Sequence, residues 1–153
     1  MKTRPQKVVA LYLALKNADT SWKLPDKIII KYINHKNQLY NSDGDYYEHG
    51  KDWDVYISKM EDWRYSFACT IHELVEMALT KNNKINWKNI TDFDIKHPKF
   101  LDPGHHKDAP YHTEHMEAEK IEREIIKLFG LDWDTYEKDY AKLDKYPPSK
   151  SPA

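Results

Sequence analysis

Between residues 65 and 82 the apolar positions Phe67, Ile71, Leu74, Val75, Ala78 and Leu79 recur every three or four residues, the spacing of one helix face. They predict a helix of about five turns. Upstream the period differs. Lys27–Ile33 is β-branched and aromatic and predicts a strand. Trp53–Ser58 alternates large and polar residues, as a half-exposed strand does. Asn41-Ser42-Asp43-Gly44-Asp45 between them has the composition of a turn. Pro5 and the good helix formers up to Leu15 predict a helix over 5–18, although the all-apolar run Val8–Leu15 also suits a buried strand.

Residues 83–113 are expected to be loop, with Pro98, Pro103, Gly104 and Pro110 among them. Thr113 is the expected N-cap of a second long helix, with Glu114 and Glu117 in its first turn and Gly130 as its C-terminal stop. The stripe Met116, Ala118, Ile121, Ile125 and Leu128 is its expected buried face. A last short helix is expected over 134–143. The sum is an α+β domain over residues 1–146, a small sheet of two or more strands packed on two long helices, with a disordered tail over 147–153.

Composition narrows the function classes. Of 153 residues, 40% are hydrophobic and 13% aromatic, enough to bury one core. The 24 basic and 25 acidic side chains are interspersed, so no footprint for nucleic acid or an anionic membrane is expected. The apolar run Val8–Leu15 is too short to span a bilayer and no small-residue cleavage site follows it. Cys69 is the single cysteine, which excludes an intrachain disulfide. A cytoplasmic setting is expected.

The predicted central helix carries Thr70-Ile71-His72-Glu73-Leu74-Val75-Glu76. His72 and Glu76 are four apart and project from one face, as two ligands to one metal ion do. Glu73 lies about 100° round the helix from His72. The second helix repeats the spacing with His115 and Glu119, and His112 stands three before His115. Imidazole with carboxylate suits zinc, iron, manganese or nickel better than magnesium or calcium. The candidate ligands are therefore His72, Glu76, His115 and Glu119, to a divalent metal, zinc first. Three ligands with an open position would be catalytic, four closed ones structural, and two ions could share the acids.

Other chemistry-bearing residues are weaker candidates. His112 is read as a loop or capping histidine, His105 and His106 as exposed loop residues, and His35, His49 and His97 as ordinary. Asp92 and Asp94 suit either the orientation of a ligating histidine or turn formation. Asp43-Gly44-Asp45 resembles a calcium loop only superficially, because position 12 would be Asp54 and the flanks are strands. Cys69 is read as a buried small residue, and Tyr111 as a hydrogen-bond donor near the site.

Strands followed by a helix bearing His72-Glu73-Leu74-Val75-Glu76 resemble the zincin metallopeptidases. The resemblance implies that His72 binds zinc and that Glu73 is the general base. Glu76 stands where the zincin helix has its second His. The stretch from His72 to Arg123 is also similar to uncharacterised phage- and prophage-associated proteins, through His72–Glu76, Asp92-Phe93-Asp94, Ala109-Pro110-Tyr111 and His115–Glu122. The leading expectation is a metal-dependent hydrolase acting on a peptide or amide. The rival is a non-catalytic phage-associated module with a structural metal and a Trp- and Tyr-rich face for a protein partner. A two-metal carboxylate site with redox chemistry is a third reading.

Overall fold

The computed structural model describes residues 24–100, 102–145 and 148. The helix expected over 5–18 lies outside them, as does the tail over 147–153 except Pro148. Three strands, β1 (Ile28–Ile33), β2 (Gly44–His49) and β3 (Asp52–Ser58), form a mixed sheet in the order β1-β3-β2. β1 runs parallel to β3 with Ile30 opposite Val55, and β2 runs antiparallel to it with Tyr46 opposite Val55. Gly50, at φ 64°, takes the left-handed turn of the β2–β3 hairpin, a conformation that costs glycine little.

Four helices follow: α1 (Trp63–Asn82), α2 (Trp87–Lys96), α3 (His112–Leu128) and α4 (Trp133–Tyr140), the last continued by a 3-10 turn over Ala141–Lys145. The α+β class is as expected, and β3 shows the predicted alternation, with Trp53, Val55 and Ile57 buried. Three local expectations are corrected. Gly44 and Asp45 open strand β2 rather than close a turn, because pairing with Ile57 and Tyr56 outweighs their low strand propensity. Residues 87–96 are helical, capped where Asn86 accepts from Lys88 N at 2.9 Å. α3 starts at His112, after Tyr111, which places Thr113 inside the first turn.

The core joins Tyr46, Trp53, Val55 and Ile57 of the sheet to Cys69 and Met77 of α1, Ile90 of α2, and Tyr111. A second cluster packs Tyr65 and Ala68 of α1 on Ile126 of α3 and Tyr136 of α4. Each large apolar side chain buried this way contributes about 1.5–3 kcal/mol.

The long helices depart from the apolar-stripe rule. On α1 the inward residues include Cys69, His72, Glu73, Glu76 and Thr80, while Phe67 and Ala78 face out. On α3 the inward stripe is His115, Ala118, Glu119, Glu122 and Ile126, while Ile121 and Leu128 of the predicted buried stripe are exposed. Uncompensated burial of such charges would cost several kcal/mol, so the polar seam between α1 and α3 must be satisfied from within.

Candidate metal centre

Across that seam three donor atoms converge. Glu76 Oε2 lies 2.9 Å from His115 Nδ1 and 3.2 Å from His72 Nε2, and the two ring nitrogens are 3.1 Å apart. His72, Glu76 and His115 are 6%, 4% and 5% exposed. The i, i+4 spacing on α1 puts its two residues on one face, one turn apart, and packing of α3 against α1 supplies the third.

Each of these side chains is oriented by a further residue. Glu122 Oε2 lies 2.9 Å from His72 Nδ1 and accepts its proton, since a carboxylate only accepts. Tyr136 in turn donates to Glu122. Glu76 Oε1 accepts from Tyr46 Oη at 3.1 Å. Asp102 Oδ1 stands 3.0 Å from His115 Nε2, at ion-pair distance but off the N–H direction, so this nitrogen has no hydrogen-bond partner. Two glycines permit the closeness. A Cβ on Gly44 would stand 2.6 Å from Glu73 Cγ, and one on Gly104 would stand 2.3 Å from His115 Cγ. Neither distance is tolerated by real side chains.

A cavity of about 220 Å³ opens beside the cluster. Its described lining includes nine carboxylates and three imidazoles but neither lysine nor arginine. The excess of negative charge shows in the titration of its groups. Burial pushes Glu73 well above the usual carboxylate range, and the neighbouring Glu76 charge adds to it. Burial opposes ionisation of Glu76 too, but hydrogen bonds from His115 and His72 outweigh it and hold that group low. Burial raises Asp43 to about 6, with the Asp102 charge adding. Burial disfavours the charged form of both rings, but Glu122 and Glu76 more than offset this at His72, and Asp102 and Glu76 do so at His115.

The donor set fits a divalent transition metal. In a neutral His72 whose proton serves Glu122, Nε2 would turn a lone pair toward Glu76 Oε2 and His115 Nδ1. Without a cation, protons on the two rings serve Glu76; a divalent ion that displaces them would meet three donor atoms within 3.2 Å of one another. Tetrahedral zinc, with bonds of about 2.0–2.2 Å, sets its ligand atoms about 3.3–3.5 Å apart, within a few tenths of these separations. His72, Glu76 and His115 would hold such an ion through these three donor atoms, beside the cavity that they line.

Comparison with family models, with characterised proteins and with solved structures finds no match to this chain. The chemistry of the site therefore rests on its own residues.

Three of the four predicted ligands meet; Glu119 does not join them. Its Oε1 accepts from Arg123 Nε at 2.7 Å and its Oε2 stands 2.5 Å from His105 Nε2. Glu73 lines the cavity beside Gly44, in a second donor group with Asp43 and Cys69. Cys69 is buried and donates to Asp43 Oδ2 at 3.0 Å, and burial pushes its thiol up, which disfavours the thiolate. His112 holds the loop, its Nδ1 donating to Gly104 O at 2.8 Å. Tyr111 packs edge-on against the His115 ring and donates to Asp94, so Asp94 serves tyrosines rather than a histidine. Asp92 is exposed. His35, read as ordinary, is buried between Ser58 and Asn41 at 2.9 Å each and braces the loop before β2.

Four contributors escape sequence reasoning. Glu122 follows His115 by two turns, a signal hidden among the other acids of α3. Tyr46 lies in an unpredicted strand. Asp102 and His105 sit in a loop whose proline and glycine suggest only a turn.

Proposed function

We propose that the chain is a zincin-like metal-dependent hydrolase of peptidase or amidase type, with one divalent ion, zinc by its donors, held by His72, Glu76 and His115. The observation that carries this reading is the convergence of those three donor atoms within 3.2 Å, at the edge of a cavity. When bound, such an ion would act as a Lewis acid toward an amide carbonyl and the attacking water. Glu73 is the general base in this reading. It lies next to His72 in the chain, lines the same cavity, and differs from Glu76 in proton affinity, as paired carboxylates with distinct acid–base roles do. Glu122 fixes the tautomer of His72, and Tyr46 fixes the rotamer of Glu76. Burial of the cluster excludes competing water.

A second reading keeps the metal but not the chemistry. The three ligands come from α1 and α3, so an ion there would staple the two long helices of a non-catalytic phage-associated module. On either reading the single buried cysteine suits a cytoplasmic setting. Among the described residues no helix is long and apolar enough to cross a membrane.

Elemental mass spectrometry of the desalted protein, followed by a peptide-hydrolysis screen, tests both. About one equivalent of zinc is expected, absent from His72→Ala and His115→Ala, with a Glu73→Gln variant that keeps the metal and loses hydrolysis. A fully active Glu73→Gln variant overturns the hydrolase. Failure to take up any metal overturns both readings.

A further inference from the structure

The imidazole of His115 has two ends, and the metal centre uses one. The other end, Nε2, is buried, lacks a hydrogen-bond partner, and faces the loop after α2. There Asp102 Oδ1 approaches it at 3.0 Å, while Asp102 Oδ2 stands 3.3 Å from His105 Nδ1. One donor atom from each of Asp102, His105 and His115 lies within 4.8 Å of the other two. His105 is prepared for the same role that Glu122 prepares in His72. Its Nε2–H is taken by Glu119 at 2.5 Å, and Arg123 holds Glu119 in place. His105 Nδ1 is thereby left with a lone pair turned toward Asp102 and the His115 ring.

A neutral imidazole carries one proton for two nitrogens. If His115 keeps it on Nδ1, for Glu76, then Nε2 shows a lone pair to the Asp102 carboxylate. If it keeps it on Nε2, then Nδ1 shows a lone pair to Glu76 and His72. In the neutral ring one end therefore always presents electron density to an anion, and either a second proton or a metal cation at that end relieves the conflict. The ends differ in access. The inner ligands His72 and Glu76 are only 6% and 4% exposed, whereas the side chains of His105 and Asp102 are 49% and 30% exposed.

We infer that Asp102, His105 and His115 Nε2 form a second, outer site for a divalent transition-metal ion, which competes with the inner site for the single lone pair of His115. Wild-type protein then binds one ion at a time in the inner site, whose ligands are better buried. The outer site fills when the inner one is disabled. The competition rests on the proposed inner site, whereas the outer donors stand apart from it.

Calorimetric titration of the metal-free protein with zinc alone tests this, using wild type, His72→Ala, His105→Ala and the double variant. His72→Gln, whose amide still donates to Glu122, replaces His72→Ala if circular dichroism shows that the latter is unfolded. One tight equivalent is expected in wild type and in His105→Ala. One weaker equivalent, lost on desalting, is expected in His72→Ala, and none in the double variant. A folded His72→Ala or His72→Gln that binds nothing, beside a wild type that binds one, overturns the outer site and leaves the inner one standing. Two independent equivalents in wild type overturn the competition. No binding by any of the four overturns inner and outer sites together.

Discussion

Glu122 Oε2 accepts the Nδ1 proton of His72 at 2.9 Å, joining α3 to α1 across fifty residues of sequence. The bond does two things at once. It satisfies a charge buried between the helices, and it leaves His72 Nε2 free to face Glu76 and His115.

Glu122→Gln is expected to keep the fold and weaken zinc binding by about 10–100-fold, the usual effect of removing the carboxylate behind a ligating histidine. An amide can present its N–H to His72 and stabilise the wrong tautomer. Competition against a chromogenic chelator measures the change. An unaltered affinity would mean that Glu122 serves packing alone.

Gly104→Ala forces a methyl to within 2.3 Å of His115 Cγ, so ring or loop must move. A loss of about 1–3 kcal/mol in urea unfolding is expected, as for other overpacked sites, together with loss of the metal. Gly50→Ala is the control. At φ 64° it strains the hairpin backbone, by about 1–2 kcal/mol, but nothing lies within 4 Å of the new methyl and the metal should stay. Equal metal content in the two variants would contradict the close approach at His115.

How much of this was legible depended on which force decided each element. The period of α1 and the alternation of β3 are written in their side chains. β2 is held by pairing with β3, which no local propensity of Gly44 or Asp45 announces. The inward faces of α1 and α3 carry the site's acids and histidines, so hydrophobic periodicity located α1 but placed Ile121 and Leu128 of α3 on the wrong side. The i, i+4 pairs include His72, Glu76 and His115, whose donor atoms converge. Glu119 has the same spacing but turns to His105 and Arg123, a choice made by the loop around Gly104.

Metal removal offers a direct measure of how far the centre supports the fold. An ion that binds only the folded chain stabilises it by about 2.7 kcal/mol at a free concentration 100 times its Kd. Chelation should therefore lower the melting temperature by several degrees, and zinc should restore it. Magnesium, which prefers all-oxygen shells, should not. A melting curve indifferent to chelator and zinc would leave the three donors as a polar network only.

The last expectation concerns pH and a group that is not among the proposed metal ligands. Asp94 is buried on α2, where its carboxylate accepts from Tyr111 Oη at 2.8 Å and Tyr40 Oη at 3.1 Å. Burial, joined by the charges of Asp45 and Glu76, raises it to about 8 against the lowering by these two hydrogen bonds. An unfolded Asp ionises near pH 4. Between these values the folded chain holds a proton that the unfolded chain has released, so folding is favoured below about pH 4 and loses this contribution as pH rises toward 8. Asp94→Asn stays neutral throughout and keeps an acceptor oxygen for one tyrosine. Its melting temperature relative to wild type should rise steadily from pH 5 to pH 8 and level off above. Asp45, raised by burial to about 7, titrates in both proteins, and only its mutual repulsion with Asp94 enters the difference. A difference that stays flat across this range, or that falls, would show that Asp94 is ionised in the folded protein and that Tyr40 and Tyr111 stabilise its charge.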